Sequence, residues 1–106
     1  MNKYEGLIIV KPDLSEQDRK NVFTQIDEAV TKHHGVISQS GLWAEKKRLF
    51  FPIKKYLEGV YYLLNFSIDP LAIKDIRHAY NLNENILRVL ITKLEKEQEV
   101  KSKETK

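Results

Sequence analysis

The order in which strand and helix patterns follow one another is the feature that most restricts the fold of this chain. Strand-like apolar patterns occupy residues 3–10, 36–53, 57–68 and 86–92. After the first and the third of these segments, apolar residues recur at three- and four-residue spacing, which predicts two amphipathic helices. The order β-α-β-β-α-β predicts an α+β fold of the ferredoxin-like, split β-α-β-β-α-β type. Such a fold has a four-stranded antiparallel sheet with two helices on one face.

Short motifs predict where the helices and the central hairpin begin and end. Ser15, with Asp18 three residues later, predicts the start of the first helix, and Gly35 predicts its C-terminal cap. Asp69-Pro70 predicts the start of the second helix. The hairpin between the second and third strands is expected to turn within "KKYLEG", residues 54–59.

Length and composition predict one domain, residues 1–94, followed by a charged tail. The chain has 106 residues, of which 42% are hydrophobic. Residues 95–106 hold four Glu, four Lys and one apolar residue, so we expect this segment to be disordered. The apolar run "LIIV" is too short for a membrane span or a signal-peptide core, which favours a cytoplasmic location without membrane association. The absence of cysteine excludes disulfides, thiolate chemistry and Cys-based zinc sites.

The positive charge is concentrated in one segment. The whole chain has a net charge of +3, and residues 45–55 alone carry +4. A local basic cluster of this kind is typical of a nucleic-acid contact. The alternative is that the lysines only protect an edge strand from pairing with other chains.

Alternation along the strands predicts which side chains the helices leave uncovered. In the third strand Val60, Tyr62, Leu64, Phe66 and Ile68 should face the helices, which turns Tyr61, Leu63 and Asn65 outward. In the second strand Leu49, Phe51 and Ile53 are assigned inward, and Lys46, Arg48, Phe50 and Lys54 outward. The same alternation puts outward the residues Leu7, Ile9, Ile86, Arg88 and Leu90. An apolar open face with cations at one side predicts a binding surface, unless the tail or self-association covers it.

Motifs for catalysis, metal binding and base stacking are absent from the sequence. The histidines His33, His34 and His78 have no carboxylate at ligand spacing, and the four glycines are isolated, so no metal, cofactor or phosphate loop is predicted. Nothing indicates an enzyme or a small-molecule substrate. RNA-recognition modules share this fold class, but their third-strand signature is not matched by "EGVYY".

Three segments resemble the bacterial small-subunit (30S) ribosomal protein S6 family. The chain opens with "KYEGLIIVKP", continues with "LFFPIKKYLEGVY" and closes with "NILRVLITK", in the order and spacing of that family. The resemblance covers residues 3–93. It implies a non-enzymatic structural constituent of the small ribosomal subunit, located on cytoplasmic ribosomes. It also implies two partners, the central domain of small-subunit (16S-type) rRNA and ribosomal protein S18, with which such proteins form a heterodimer.

The resemblance also implies roles for individual residues. The residues expected to contact rRNA are Lys3, Tyr4, Lys54, Lys55, Arg88 and Lys93. Those expected at the interface with the partner protein are Arg48, Leu49, Phe50, Phe51 and Tyr61.

The chain departs from the family pattern in its second strand. Relatives commonly have Leu-Ala-Tyr-Pro-Ile where this chain has "LFFPI", and the segment between Trp43 and Leu49 is one residue longer. The extra residue predicts a bulge, so alternation does not determine the facing of Trp43 or Lys47, nor that of Lys46 despite its outward parity. The alternative function is a ferredoxin-like small-molecule-binding or acylphosphatase-like domain. That function needs an Arg or Asn anion site in the first strand-to-helix loop, and "KPDLSE" provides none.

Overall fold

The computed structural model describes residues 2–94, except for the side chains of Lys46, Phe50 and Phe51. The predicted tail, residues 95–106, lies outside the described residues. The elements are β1 (Asn2–Val10), α1 (Glu16–Lys32), β2 (Val36–Ile53), β3 (Tyr56–Ile68), a short 3-10 helix (Pro70–Ala72), α2 (Ile73–Leu82) and β4 (Ile86–Leu94). The strands form one antiparallel sheet in the order β2-β3-β1-β4. This architecture confirms the predicted α+β, ferredoxin-like fold.

The N-terminal signals of the helices work as predicted. The Ser15 hydroxyl accepts a hydrogen bond from the backbone N–H of Asp18 at 3.1 Å and caps α1. The Asp69 carboxylate accepts one from the N–H of Leu71 at 3.0 Å, and Pro70 begins the 3-10 helix that leads into α2.

The C-terminal cap of α1 differs from the prediction, because the left-handed residue is His34 and not Gly35. His34 has a φ of 66°. Its N–H donates to the carbonyl of Thr31 at 3.0 Å, and the N–H of Gly35 donates to that of Val30 at 2.9 Å. These two bonds are the pair that defines a Schellman motif. A histidine therefore occupies the position that helices usually give to glycine.

The main core lies between the sheet and the two helices. The inward residues of β3 are those predicted, and they are all buried. They pack against one stripe of each helix, and the cluster includes Tyr4, Ile8, Val10, Val22, Ile26, Val30, Val60, Tyr62, Leu64, Phe66, Ile68, Ile76, Tyr80 and Ile86. Burial of this stripe, rather than helix propensity, holds both helices on one face of the sheet.

A bulge between β1 and β4 corrects the prediction for Ile86. Ile9 pairs with Arg88, but the next residue, Val10, pairs with Ile86, so the register shifts between them. The shift moves Ile86 to the helix side, where it is buried, and turns Leu87 to the open face instead. Outward placement is confirmed for Arg88, which shares its row with Ile9.

Tyr80 should make the fold sensitive to alkaline pH. Its hydroxyl donates to the carbonyl of Ile26 at 2.7 Å, and burial raises the pKa of Tyr80 well above its usual range. Above about pH 10 the unfolded tyrosine ionises while the folded one keeps its proton, so stability should fall as pH rises. Tyr80→Phe should cost about 1 kcal/mol at neutral pH and make that fall shallower.

Urea unfolding of both proteins at about pH 7 and about pH 11 tests this expectation, since ordinary tyrosine titrates between them. An equal alkaline loss in the wild type and in Tyr80→Phe would show that other groups cause it.

Candidate RNA and protein interface

β2 changes its pairing with β3 four times along its length. The register shifts between Ile37 and Gln39, between Leu42 and Ala44, between Ala44 and Lys47, and between Arg48 and Ile53. The third shift falls in the segment that is one residue longer than in relatives, where a bulge was predicted. Gly41 pairs in register with Leu63, although an isolated glycine within a strand often marks a bulge.

The bulge before Lys47 reverses two of the predicted facings. Lys47 pairs with Gly59, and Arg48 pairs with Glu58. Because Glu58 has the parity of Val60, Arg48 lies on the helix side of the sheet and not on the open face as predicted. Inward placement of Leu49 was wrong as well. One extra residue in a strand turns the side chains directly after it, here those of Arg48 and Leu49, to the opposite face from the one that simple alternation predicts.

Leu49 belongs to a second, smaller cluster, which lies on the open face. Leu49 packs with Ile9 and Leu87, and Ile53, Tyr56 and Tyr61 lie against them. Gly59 makes room for this contact, because a Cβ atom there would lie 2.5 Å from Ile9 Cγ2. The cluster ties the hairpin end of β2 and β3 to β1 and β4.

The open face is organised in rows that cross all four strands. Residues paired across neighbouring strands lie side by side on the same face. A polar row contains Gln39, Asn65, Glu5 and Thr92. The next row is apolar and contains Gly41, Leu63, Leu7 and Leu90. The third row contains Ala44, Tyr61, Ile9 and Arg88. The predicted apolar surface with cations to one side is therefore present.

Three side chains that sequence reasoning did not bring together form an aromatic and cationic cluster on this face. The ring centroids of Trp43 and Tyr61 are 5.5 Å apart. The Nζ of Lys47 lies 4.4 Å from the Trp43 centroid and 5.6 Å from that of Tyr61, within cation–π distance of both. In the sequence, the inserted residue between Trp43 and Leu49 indicates an irregular strand. It does not indicate which face of the sheet Trp43 and Lys47 occupy.

Lys54 and Lys55 form the two-residue turn between β2 and β3, within the segment expected to turn. Ile53 pairs with Tyr56 across it. Both lysines have left-handed backbone angles, with φ of 49° and 73°. Such a turn is normally made by Asn-Gly, because glycine has no Cβ atom and asparagine tolerates left-handed backbone angles better than lysine does. Both lysines are exposed at the tip of the hairpin.

The residues expected to contact RNA fall into two groups at opposite ends of the sheet. Lys54 and Lys55 lie at the hairpin end, with Arg88 in the row of Tyr61. Lys3 and Lys93 are exposed at the other end of β1 and β4. Lys3 lies six positions before Ile9 in β1, which corresponds to a distance of about 20 Å.

Tyr4 is in the core. It is only 6% exposed, and its ring stacks on Phe66 with the centroids 5.7 Å apart. At this end of the sheet, therefore, the exposed residues among those expected to contact RNA are Lys3 and Lys93. Of the residues expected at the protein interface, Phe50 and Phe51 have side chains outside the described part of the structure, and Tyr61 lies half-buried on the open face.

The loop between β1 and α1 holds a carboxylate instead of an anion site. The Tyr56 hydroxyl donates to Asp13 Oδ2 at 3.1 Å, and this hydrogen bond raises the pKa of Tyr56. A shallow groove of about 390 Å³ beside it is lined by Pro12, Arg48, Lys55, Tyr56, Leu57 and Glu58. The loop thus offers no support for the acylphosphatase-like alternative.

Residues 2–94 contain neither a metal-binding cluster nor a membrane-spanning helix. No three His, Cys, Asp or Glu side chains of that range converge in a way that could hold a metal ion. Neither helix of that range combines the length and the apolar character needed to cross a membrane.

Comparison with known proteins gives one consistent result. The family model described as Ribosomal protein S6 matches residues 3–93. The small ribosomal subunit protein bS6 of Helicobacter pylori (strain G27) is 37% identical over 102 residues, covering 96% of this chain and 71% of the relative. The bS6 protein of Dictyoglomus turgidum is 34% identical over 98 residues, covering 92% and 100%.

A solved structure shows the same fold. The crystal structure of 30S ribosomal protein S6 from Thermotoga maritima superposes with a TM-score of 0.84 at 20% identity, covering 99% of this chain and 98% of that one. The fold and the basic, apolar open face, together with these matches, define a small-subunit ribosomal protein of the ferredoxin-like type. The chain belongs to the ribosomal protein S6 family.

Proposed function

We propose that this protein is a structural, non-catalytic constituent of the small ribosomal subunit in the cytoplasm. In this proposal it binds the central domain of the small-subunit rRNA as a heterodimer with ribosomal protein S18. The observation that carries the proposal is the family match over residues 3–93, combined with a sheet that separates an apolar open face from a basic hairpin end. The two surfaces suit a protein partner and an RNA partner respectively.

The RNA side of the proposal rests on exposed cations. Lys54 and Lys55 extend from the hairpin tip, and Arg88 lies at the same end of the sheet. Lys3, on the open face, and Lys93, which pairs with Tyr4 and so lies on the helix side of the edge strand β4, extend the contact to the other end, about 20 Å away along β1. An RNA that meets both groups must follow the length of the sheet. Contacts with phosphates made in this way give affinity without sequence specificity.

The protein side of the proposal rests on the open face. Its apolar row crosses all four strands, which span about 14 Å at the usual strand spacing. Leu90 is 42% exposed and Trp43 is 52% exposed, so apolar surface remains uncovered in the free chain. The half-buried Tyr61 connects this row to the cluster of Leu49. A partner protein that covers these residues would remove them from water.

A binding experiment with and without the partner tests the proposal. Filter binding to a central-domain rRNA fragment should show tight binding only when S18 is added. The logarithm of the affinity should fall with the logarithm of salt concentration by about 0.7 to 0.9 per phosphate contacted. Binding that is independent of salt, or no binding with S18 present, would contradict the proposal. Co-sedimentation with small subunits in a high-salt gradient provides an independent check.

A further inference from the structure

A small cavity opens on the outer face of the sheet between β2 and β3. It has a volume of about 170 Å³, and the residues that line it from this face are Gln39, Gly41, Trp43, Leu63 and Asn65. Gly41 forms part of its wall, and a Cβ atom added there would meet nothing within 4 Å. The space above this glycine is therefore open and faces outward.

Asn65, one of the residues that line this cavity, carries a hydrogen-bond acceptor without a partner. Asn65 Oδ1 is buried, and it is the one buried side-chain polar atom without a hydrogen-bond partner among the side chains that the structure describes. A buried acceptor without a partner lowers the stability of the free protein, and it gains a hydrogen bond when the Asn65 side chain turns towards a donor in the cavity. The cavity thus offers an apolar space and one acceptor.

We infer that this cavity is the anchoring point of the proposed protein interface, and that it receives one apolar side chain and one N–H donor from the partner. The inference rests on the proposed function, because it takes S18 as the partner. The cavity lies in the polar and apolar rows of the open face, directly beside the cluster of Trp43 and Tyr61. It is therefore continuous with the surface already proposed to bind that protein.

The dimensions and surroundings of the cavity suit a protein side chain. A cavity of about 150 Å³ with apolar walls can bind a molecule the size of benzene. An RNA base would need a free aromatic ring for stacking, but Lys47 Nζ lies over the Trp43 ring at 4.4 Å. The remaining Trp43 surface and Leu63 give the cavity its apolar character.

The composition of the tail and the charges around the cavity also favour a partner protein. Residues 95–106 contain a single apolar residue, Val100, which is too little to cover the apolar row. Glu5 lies in the row on one side, and Lys47 and Arg88 lie beyond the other side. A partner segment with an apolar strip, basic towards Glu5 and acidic towards Lys47 and Arg88, would complement this arrangement.

Two substitutions test the inference by calorimetric titration of the full chain with purified S18. Gly41→Val fills the cavity, and because its Cβ has open space and valine favours strands, the fold should be retained. Its Kd for S18 should rise about tenfold to a hundredfold. Asn65→Leu removes the acceptor. Its melting temperature should equal or exceed that of the wild type, while its Kd should rise about tenfold.

Thr24→Leu is the control, because it adds an apolar side chain at an exposed position of α1, away from the open face of the sheet. Its Kd should change less than about threefold. If Gly41→Val and Asn65→Leu bind S18 as tightly as the wild type, the inference is wrong while the proposed function stands. If the wild type does not bind S18, both are wrong. If the two variants bind S18 as the wild type does but bind rRNA more weakly in its presence, the cavity serves RNA and the inference is overturned.

Discussion

Replacing Lys54-Lys55 by Asn-Gly should make the protein more stable and a weaker RNA ligand at the same time. Both lysines hold left-handed backbone angles that Asn-Gly adopts without strain. We expect the free energy of unfolding to rise by about 1 to 2 kcal/mol. Loss of two exposed cations at the proposed RNA contact should lower the affinity of the S18 heterodimer for central-domain rRNA about tenfold.

A second variant separates the backbone effect from the charge effect. Lys54→Gln with Lys55→Gln removes both charges but keeps side chains in the left-handed turn. It should weaken RNA binding as much as Asn-Gly does, with no gain in stability. Both variants should reduce the salt dependence of binding by about one to two phosphate contacts between about 50 mM and 200 mM salt. An Asn-Gly variant that binds rRNA as tightly as the wild type would remove this turn from the RNA contact.

Phe66→Ala should produce the largest loss of stability among the substitutions considered. The Phe66 side chain is 2% exposed and stacks on Tyr4, so its removal leaves a cavity in the middle of the main core. We expect a loss of about 3 to 5 kcal/mol, a large part of the roughly 5 to 15 kcal/mol typical of such a domain. Urea unfolding followed by circular dichroism measures this loss.

Tyr4→Phe is the companion variant, because it keeps the stacked ring and removes only the hydroxyl. It should lose less than about 1 kcal/mol, since the buried ring is what supports the core. Its affinity for rRNA tests the role that the family resemblance implies for Tyr4. Unchanged binding would assign Tyr4 to the core alone, and clearly weaker binding would show that the hydroxyl contributes. A loss of stability as large as that of Phe66→Ala would contradict the placement of the two rings.

The order of elements could be predicted because each long segment has a single clear period. β3 alternates over most of its length, so its inward and outward residues follow directly from the sequence. The helix caps Ser15 and Asp69 could also be recognised, because their side chains act locally. The C-terminal cap of α1 was assigned to the wrong residue. Glycine is the usual left-handed residue at this position, and Gly35 directly follows His34, which adopts the left-handed conformation.

The site could be predicted only in part, because it lies where the strands are irregular. Leu49, Phe50 and Phe51 are consecutive apolar residues, so alternation does not show which of them face the helices. Ile86 and Leu87 present the same ambiguity in β4. In both strands a bulge decides the outcome, and the bulge depends on pairing with a distant strand. The same irregularity explains why Trp43 and Lys47 could not be placed beside Tyr61.

The repeated register shifts of β2 also affect how readily one copy of the chain can pair with another. β2 is an edge strand, and a long regular edge would offer a continuous row of N–H and C=O groups to any other copy of the chain. Each shift interrupts that row, so a second copy could pair with only a few residues before losing register. The irregular strand that brings Lys47 and Trp43 to the open face therefore also limits edge-to-edge pairing between copies of the chain.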